Sequence, residues 1–392
     1  MINFDYRNST RVIFGKGSIP QVGALIREYH GTTVLVHYGS GSIKTNNVYS
    51  TAIKSLTEAG LNIIELGGVK PNPRLALVHE GIKLCREKKV DFILAIGGGS
   101  VIDSSKAIGV GIPYEGDVWD FYMDKAVPKK TLPVATILTL AAAGSETSWS
   151  SVITNDDGAL KRFLDIDITY PVFSILDPEI TFTLPAYQTG CGITDMFIHV
   201  FERYLTKTLN VDLTDRLCEA IMKSIIYNGP KVLANPHDYD ARAEIMWAGS
   251  LAHNGLVGTG RIGDFASHMM EHELSAFNDV AHGAGLAILV PNLMKYVYKH
   301  DPQRFVQFAV RVFNIEENFH NPEETIFRGI NALRAFFNSL GMPSKLSDIG
   351  IEEKSFRAIA EKTKKFDKEK GTTGNFIGLT VNDIVEILKL AK

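Results

Sequence analysis

The chain has 392 residues, of which 45% are hydrophobic and 22% charged, and its formal net charge is −3. These values are typical of a globular protein with a well-buried core and about two domains. The small net charge, without long runs of one sign, argues against nucleic acid as a partner. No apolar stretch is long enough to span a membrane, and the N-terminal segment lacks the apolar core of a signal peptide. We therefore expect a cytoplasmic protein.

Strands and helices alternate along the first half of the chain. Short β-branched runs such as TTVLVHYG (32–39) and VDFILAIGGG (90–99) are separated by segments with helical periodicity, such as RLALVHEGIKLCREKK (74–89). This pattern predicts βαβ units and a Rossmann-like parallel sheet. After about residue 180 the periodicity is mostly helical. We therefore predict an α/β dinucleotide-binding domain over 1–185 and an all-α metal-binding domain over 186–392.

The first strong strand ends in the small-residue turn VHYGSGSIK (36–44). In dinucleotide-binding folds an acidic side chain near such a strand end binds the adenosine ribose and repels a 2′-phosphate. This turn instead offers Gly39, the hydroxyls of Ser40 and Ser42, and Lys44. The turn therefore favours NADP(H) over NAD(H), and the alternative is an ordinary polar turn.

A second turn follows the strand VDFILAI, where Gly97, Gly98, Gly99 and Ser100 lead into a predicted helix. Glycines allow close backbone approach to a diphosphate, and the free amides of a helix N-terminus attract anions. A tight strand-to-helix turn without a ligand is the alternative reading. Farther along, Thr139 and Ser145 follow another apolar strand and are candidates to line the same crevice, or only a loop of small residues.

Histidines and one aspartate recur at helical spacing in the second half. Asp195 and His199 are four residues apart, as are His268 and His272, and His282 follows at a glycine-rich turn. Each pair would project from one face of a helix, so two such helices could supply one carboxylate and three or four imidazoles. A single histidine is more often a core or surface residue than a ligand. These donors suit iron, zinc, copper or nickel better than calcium or magnesium.

Several motifs together resemble the iron-containing alcohol dehydrogenase family. They are GITDxxxH at 192–199, HxxxH at 268–272, GGGSxxDxxK at 97–106 and PNP at 71–73. The resemblance extends over nearly the whole chain. The turns YGSGS and GSETS look like the branch of NADPH-dependent butanol dehydrogenases and aldehyde reductases.

The resemblance implies a set of site residues. The metal ligands would be Asp195, His199, His268 and His282, with Fe²⁺ favoured and Zn²⁺ as the alternative, and His272 would be a neighbour that is not a ligand. Gly98, Gly99 and Ser100 would hold the diphosphate, and Ser40 and Ser42 would lie at the ribose and its 2′-phosphate. The remaining cofactor contacts would come from Asn72, Asp103, Thr139 and Lys161, with Arg162 as the alternative to Lys161.

The implied reaction is reversible hydride transfer between NADP(H) and a short-chain primary alcohol or aldehyde such as butanol or butanal. In this reaction the metal acts as a Lewis acid on the substrate oxygen. His272 is the candidate for relaying the alcohol proton, and a purely structural role is its alternative. The N-terminal segment resembles the family's subunit-interface strand, so a homodimer is expected. Two other functions stay open: a lyase of the dehydroquinate synthase type, and a non-enzymatic metal- or nucleotide-binding protein.

Overall fold

The computed structural model describes all residues from Met1 to Lys392. The chain packs as two compact units. Residues 7–184 and 236–250 form an α/β unit, whereas residues 1–6, 185–235 and 251–392 form a helical unit. None of the helices combines the length and the apolar character that a membrane span requires.

A six-stranded, wholly parallel sheet lies at the centre of the α/β unit. Its strands are β1 (Arg11–Phe14), β2 (Thr33–Tyr38), β3 (Asn62–Leu66), β4 (Phe92–Gly97), β5 (Val134–Leu138) and β8 (Phe173–Leu176). The order across the sheet is β1-β8-β5-β4-β2-β3. A separate antiparallel hairpin is formed by β6 (Ser150–Asn155) and β7 (Leu160–Asp165).

Both faces of the sheet are covered, which explains why its central strands are continuous apolar runs. The helices of this unit are α1 (Val22–Glu28), α2 (Val48–Glu58), α3 (Leu75–Lys88), α4 (Gly99–Gly111), α5 (Trp119–Tyr122) and most of α8 (Tyr239–His253). Along β2, Val34 and Val36 join one apolar cluster, whereas Leu35 joins the cluster on the opposite face.

The helical unit contains eight further helices. They are α6 (Ala186–Tyr204), α7 (Asp212–Ala234), α9 (Ala266–Asn278), α10 (His282–Val297), α11 (Pro302–Phe313), α12 (Pro322–Ser339), α13 (Phe356–Lys362) and α14 (Val381–Leu390). Together with the parallel sheet of the α/β unit, these helices confirm the predicted fold class.

The structure departs from the predicted division at 185 in two segments. Residues 236–250 pack in the α/β unit, where Ser250 donates a hydrogen bond to the Glu146 carboxylate and Met246 lies in an apolar cluster beside the sheet. At the other end of the chain, residues 1–6 pack in the helical unit, where the amide of Ile2 donates to the carbonyl of Gly260 (3.0 Å). Both exceptions arise from tertiary packing and leave no signal in local periodicity.

Candidate active site

One helix supplies both the aspartate and the first histidine of the predicted metal site. Asp195 and His199 lie one turn apart on α6, and both side chains are almost completely buried. The Asp195 Oδ1 atom is buried without a hydrogen-bond partner. A buried carboxylate oxygen in this condition is costly unless a cation compensates it.

Three imidazole nitrogens surround that oxygen. Asp195 Oδ1 lies 3.5 Å from His199 Nε2, 3.7 Å from His268 Nε2 and 3.7 Å from His282 Nε2. Four ligands bound tetrahedrally at ~2.1 Å lie ~3.4 Å from one another. The observed spacings therefore fit the ligand sphere of a transition-metal ion.

The four donors, which we call the metal-ligand cluster, are not equally close. Those of Asp195, His268 and His282 all lie within 4.8 Å of one another. His199 joins them through short separations from two members, at 3.5 Å from Asp195 and 3.2 Å from His268. The structure thus brings together all four predicted ligands, with His199 at one side of the group.

Two buried glutamates face the outer nitrogens of the cluster. The Glu202 carboxylate accepts a hydrogen bond from His268 Nδ1, and the Glu271 carboxylate accepts one from His282 Nδ1. Such bonds place the proton on Nδ1 and leave the Nε2 lone pair free for a metal. His199 has no carboxylate at Nδ1; the nearby guanidinium of Arg203 donates its short hydrogen bond to the His199 carbonyl (2.7 Å) and lies 3.4 Å from Nδ1.

Sequence reasoning missed both glutamates. Glu202 lies seven residues after Asp195 on α6, and Glu271 lies three residues after His268 on α9, so each shares a helix face with a ligand. That spacing was the available signal. Acidic residues on helices are usually solvated, however, and the burial of these two follows only from packing.

The surroundings of the cluster shift the pKa values of His199 and His268 in opposite directions. Burial, followed by the neighbouring imidazoles of His268 and His253, holds the pKa of His199 well below its usual range. Burial also acts to lower the pKa of His268, but the Glu202 and Asp195 carboxylates outweigh it and raise that pKa to about 9. The Glu202 and Asp195 carboxylates therefore favour positive charge at His268.

His272 lies beside the cluster without belonging to its closely spaced donors. It is buried one turn after His268 on α9, and its ring centre is 5.7 Å from that of His282 and 6.5 Å from that of His268. A further imidazole that sequence reasoning missed, His253, lies 4.4 Å from the ring of His199.

The strand order places a topological switch point between β2 and β4 of the α/β unit. The chain passes from β2 outward to β3 and then returns to β4 on the opposite side of β2. Ligands of open α/β sheets bind outside the carboxyl ends of the strands at such a switch point. The turn at 39–42 follows the end of β2, and Gly98 joins the end of β4 at Gly97 to the start of α4 at Gly99.

A side chain would meet different surroundings at each of the three glycines 97–99. A Cβ at Gly97 would lie 2.4 Å from a methyl of Val101, and one at Gly98 would lie 3.2 Å from Leu140. A Cβ at Gly99, the first residue of α4, would meet nothing within 4 Å. Open space beside a helix N-terminus, where Ser100 follows, is suited to the close approach of a diphosphate.

The turn after β2 is open to solvent, with Ser40 and Ser42 exposed and Gly39 partly so. Lys44 lies over the rings of Tyr38 and Tyr49, with its Nζ 5.0 and 4.7 Å from their centres. At the end of β3 there is an acidic residue that sequence reasoning missed. This residue, Glu65, accepts hydrogen bonds from both tyrosine hydroxyls and lies 3.9 Å from Lys44.

The structure brings Lys161 and Asn72 together, since Lys161 Nζ donates to Asn72 Oδ1 (3.0 Å). The alternative residue, Arg162, donates to the carbonyl of Lys161. Two other predicted cofactor residues bond to each other: Ser145 Oγ donates to Asp103 Oδ1 (2.6 Å).

Asp103 also accepts from the amide of Val152, so its carboxylate ties α4 to the β6 strand. Thr139 directly follows β5, and its amide donates to the carbonyl of Gly97 (3.0 Å). The polar atoms of Asp103 and Ser145 are thus engaged in holding the loops of this unit.

Two family models together cover nearly the whole chain. Residues 9–178 match the iron-containing alcohol dehydrogenase model, and residues 189–392 match the C-terminal model of the Fe-containing alcohol dehydrogenase family.

The chain is also similar to individual members. It is 43% identical over 390 residues to the NADH-dependent butanol dehydrogenase A of Clostridium acetobutylicum, covering 99% of each chain. It is 38% identical over 367 residues to the NADPH-dependent aldehyde reductase YqhD of Escherichia coli, covering 92% of this chain and 93% of the relative. The crystal structure of NADH-dependent butanol dehydrogenase A from Thermotoga maritima superimposes with a TM-score of 0.96 at 39% identity, covering 100% of this chain and 99% of the other. The chain is therefore an oxidoreductase that belongs to the iron-containing alcohol dehydrogenase family.

Proposed function

We propose that the enzyme interconverts short-chain primary alcohols and their aldehydes, such as butanol and butanal, with a nicotinamide dinucleotide and a divalent metal ion. One observation carries this proposal: the buried Oδ1 of Asp195 has no hydrogen-bond partner and faces three imidazole nitrogens at 3.5–3.7 Å. Such an arrangement is stable when a cation occupies its centre.

Asp195, His199, His268 and His282 would hold that ion. One carboxylate and three imidazoles suit Fe²⁺ or Zn²⁺, with Fe²⁺ preferred in this proposal. A divalent ion held by one anionic and three neutral ligands retains positive charge and supplies Lewis-acid polarisation of the substrate oxygen. The nicotinamide supplies or accepts the hydride.

The protein's own groups prepare the site for this chemistry. Asp195, His199 and His268 are almost completely buried, which strengthens the electrostatic interactions among them, whereas the His282 side chain is 24% exposed. The Nδ1 atoms of His268 and His282 donate to carboxylates, so both imidazoles are oriented before any ligand arrives. We infer that His272, whose ring centre is 5.7 Å from that of His282, relays the alcohol proton.

The dinucleotide would bind at the ends of β2 and β4. Gly98, Gly99 and Ser100 would hold the diphosphate on the N-terminus of α4, because the space beside Gly99 is open. Asn72 and Lys161 would contribute through their mutual hydrogen bond.

We infer a preference for NADPH over NADH, because the exposed turn after β2 presents two serine hydroxyls and a nearby lysine to a 2′-phosphate. Glu65, 3.9 Å from Lys44, opposes this preference. The relatives include proteins named for either cofactor, so the ratio of the two activities is the quantity to measure.

A homodimer fits the position of β1. This strand ends one side of the sheet and pairs only with β8, so its outer edge offers backbone groups to a second copy. Light scattering coupled to size-exclusion chromatography should give the mass of two chains.

The test compares the wild-type enzyme with Asp195→Asn, which removes the charge and keeps the shape of the side chain. Both proteins are stripped of metal, reconstituted anaerobically with Fe²⁺ or Zn²⁺, and assayed for butanal-dependent oxidation of NADPH and of NADH at the absorbance band of the reduced nicotinamide. We expect metal-dependent turnover in the wild type, faster with NADPH, and loss of both metal and turnover in the variant.

Three outcomes would contradict the proposal in different ways. Full activity in metal-free protein would remove the role of the ligand cluster. Metal and dinucleotide binding without turnover of any short alcohol or aldehyde would point to a lyase or to a binding protein. A higher specificity constant for NADH would overturn only the inferred cofactor preference.

A further inference from the structure

The two glutamates behind the metal-ligand cluster are fastened in different ways. The second carboxylate oxygen of Glu202, Oε1, accepts from the backbone amides of Ser267 (3.0 Å) and His268 (3.3 Å) and from the Ser267 hydroxyl. The corresponding oxygen of Glu271 accepts from the hydroxyl of Ser275. A backbone amide can only donate, whereas a hydroxyl can turn and accept.

The Ser275 hydroxyl has a second hydrogen-bond acceptor within reach. The carbonyl oxygen of Val280 lies 3.1 Å from Ser275 Oγ with the geometry of an acceptor. If Ser275 donated there, its oxygen could accept a hydrogen bond from an amide group at position 271. No such exchange is open to the amides of Ser267 and His268.

We propose that Glu202 is a positioning residue whose acceptor-only side chain is obligatory for His268 to serve as a metal ligand, whereas at Glu271 a neutral amide can perform the same task for His282. This inference rests on the metal site of the proposed function. It concerns the direction of hydrogen bonds and the tautomer of each imidazole.

The consequence is sharpest for the two matched glutamine variants. In Glu202→Gln the amide oxygen must remain with the two backbone amides, so the NH₂ group faces His268 Nδ1. That nitrogen must then accept, the ring proton moves to Nε2, and Nε2 loses the lone pair that faces Asp195. In Glu271→Gln the oxygen can stay with His282 Nδ1 while the NH₂ group donates to Ser275 Oγ.

The side chain of Glu271 packs closely against a glycine of the neighbouring helix, which restricts its position. A Cβ added at Gly285 of α10 would lie 2.9 Å from Glu271 Cγ and 3.1 Å from Oε1. The absence of a side chain at 285 therefore allows the glutamate to pass between α9 and α10. Since glutamine has the same shape, this passage is open to Glu271→Gln as well.

The experiment measures Zn²⁺ affinity in the full-length chain by competition with a chromophoric chelator, using metal-free wild type, E202Q, E271Q and Asp195→Asn. Outer hydrogen-bond partners of ligand histidines typically contribute about 10- to 100-fold in metal affinity. We expect E202Q to weaken Zn²⁺ binding by at least about tenfold and E271Q by less than about threefold. Far-UV circular dichroism of each metal-free protein checks that the fold is retained.

A second measurement does not depend on the folding of a variant. In the Zn²⁺-loaded wild type with ¹⁵N-labelled histidine, long-range ¹⁵N–¹H spectra should show protonated Nδ1 and unprotonated Nε2 for both His268 and His282. In E202Q the signature of His268 should change, whereas in E271Q that of His282 should be kept.

Equal losses of Zn²⁺ affinity in the two variants, or an unprotonated Nδ1 on His268 in the wild type, would overturn the inference. If the wild type and Asp195→Asn bind Zn²⁺ equally weakly, the metal site itself fails, and the proposed function fails with it.

Discussion

A buried histidine of the central sheet should make the α/β unit sensitive to acid. His37 on β2 is fully buried, with Nδ1 2.7 Å from the carbonyl oxygen of Leu66 and Nε2 2.9 Å from the Ser104 hydroxyl. The carbonyl can only accept, so Nδ1 carries the proton and Nε2 accepts from Ser104. Burial lowers the pKa of His37 to about 4, despite the opposing hydrogen bond to Leu66.

The sign of the effect follows from the unfolded chain, in which histidine has its ordinary pKa of about 6.5. Below pH 6.5 His37 binds a proton in the unfolded chain but stays neutral in the folded protein. Its contribution to the free energy of unfolding is therefore fully present above pH 6.5 and is lost as the pH falls toward 4. Between about pH 7.5 and about pH 5 the expected loss in the free energy of unfolding is about 2 kcal/mol.

The chain offers a local probe for this loss. All three tryptophans, Trp119, Trp149 and Trp247, lie in the α/β unit, so their fluorescence during urea unfolding reports on that unit. His37→Gln keeps a donor and an acceptor but does not titrate. We expect the variant to lose about 2 kcal/mol less than the wild type over this pH interval. Equal losses in the two proteins would refute the assignment of this acid sensitivity to His37.

Three further substitutions test separate parts of the structure. Gly99→Ala should leave the melting temperature unchanged, because the added Cβ would meet nothing within 4 Å. The same variant should raise the Kd for NADPH by at least about tenfold in a fluorescence titration, and unchanged binding would contradict the diphosphate site. Gly283→Ala places a Cβ 2.1 Å from the carbonyl oxygen of Cys191, so α6 and α10 must separate. Thermal unfolding should show a loss of about 1–3 kcal/mol in the free energy of unfolding, and Zn²⁺ should bind more weakly at the adjacent His282. Lys106→Met removes the buried ammonium that donates to three backbone carbonyls of the segment 145–150. Urea unfolding should show a loss of about 3–5 kcal/mol in the free energy of unfolding, whereas a loss below about 1 kcal/mol would mean that other contacts hold this segment.

Local patterns in the sequence were sufficient for the fold class and for two helix-face pairs of candidate ligands, whereas the choice of the four predicted ligands came from the resemblance to the family. Asp195 and His199 share a helix face because four residues make about one turn, and the same holds for His268 and His272. The arrangement of β2 and β4 on either side of the switch point was not accessible in this way, because strand order depends on contacts between distant segments.

The groups that sequence reasoning missed are those whose environment defines them. Glu202 and Glu271 look like ordinary helical carboxylates until packing removes water from them. Glu65 resembles a polar strand end until Tyr38 and Tyr49 are seen to donate to it. Asp103 itself was predicted as a cofactor contact, but its hydrogen bonds with Ser145 and with the amide of Val152 are contacts that no local pattern encodes.

The division of the chain between its two units constrains the order in which they can form during synthesis. The α/β unit lacks Met246 and Ser250 until well after its sheet has left the ribosome, so its packing stays incomplete while the first helices of the other unit emerge. The hydrogen bond from the amino group of Met1 to the carbonyl of Leu209 can form only after a further 208 residues have been synthesised. Nascent chains that end before residue 250 should therefore expose apolar surface beside the sheet and depend on chaperones more than the completed protein does.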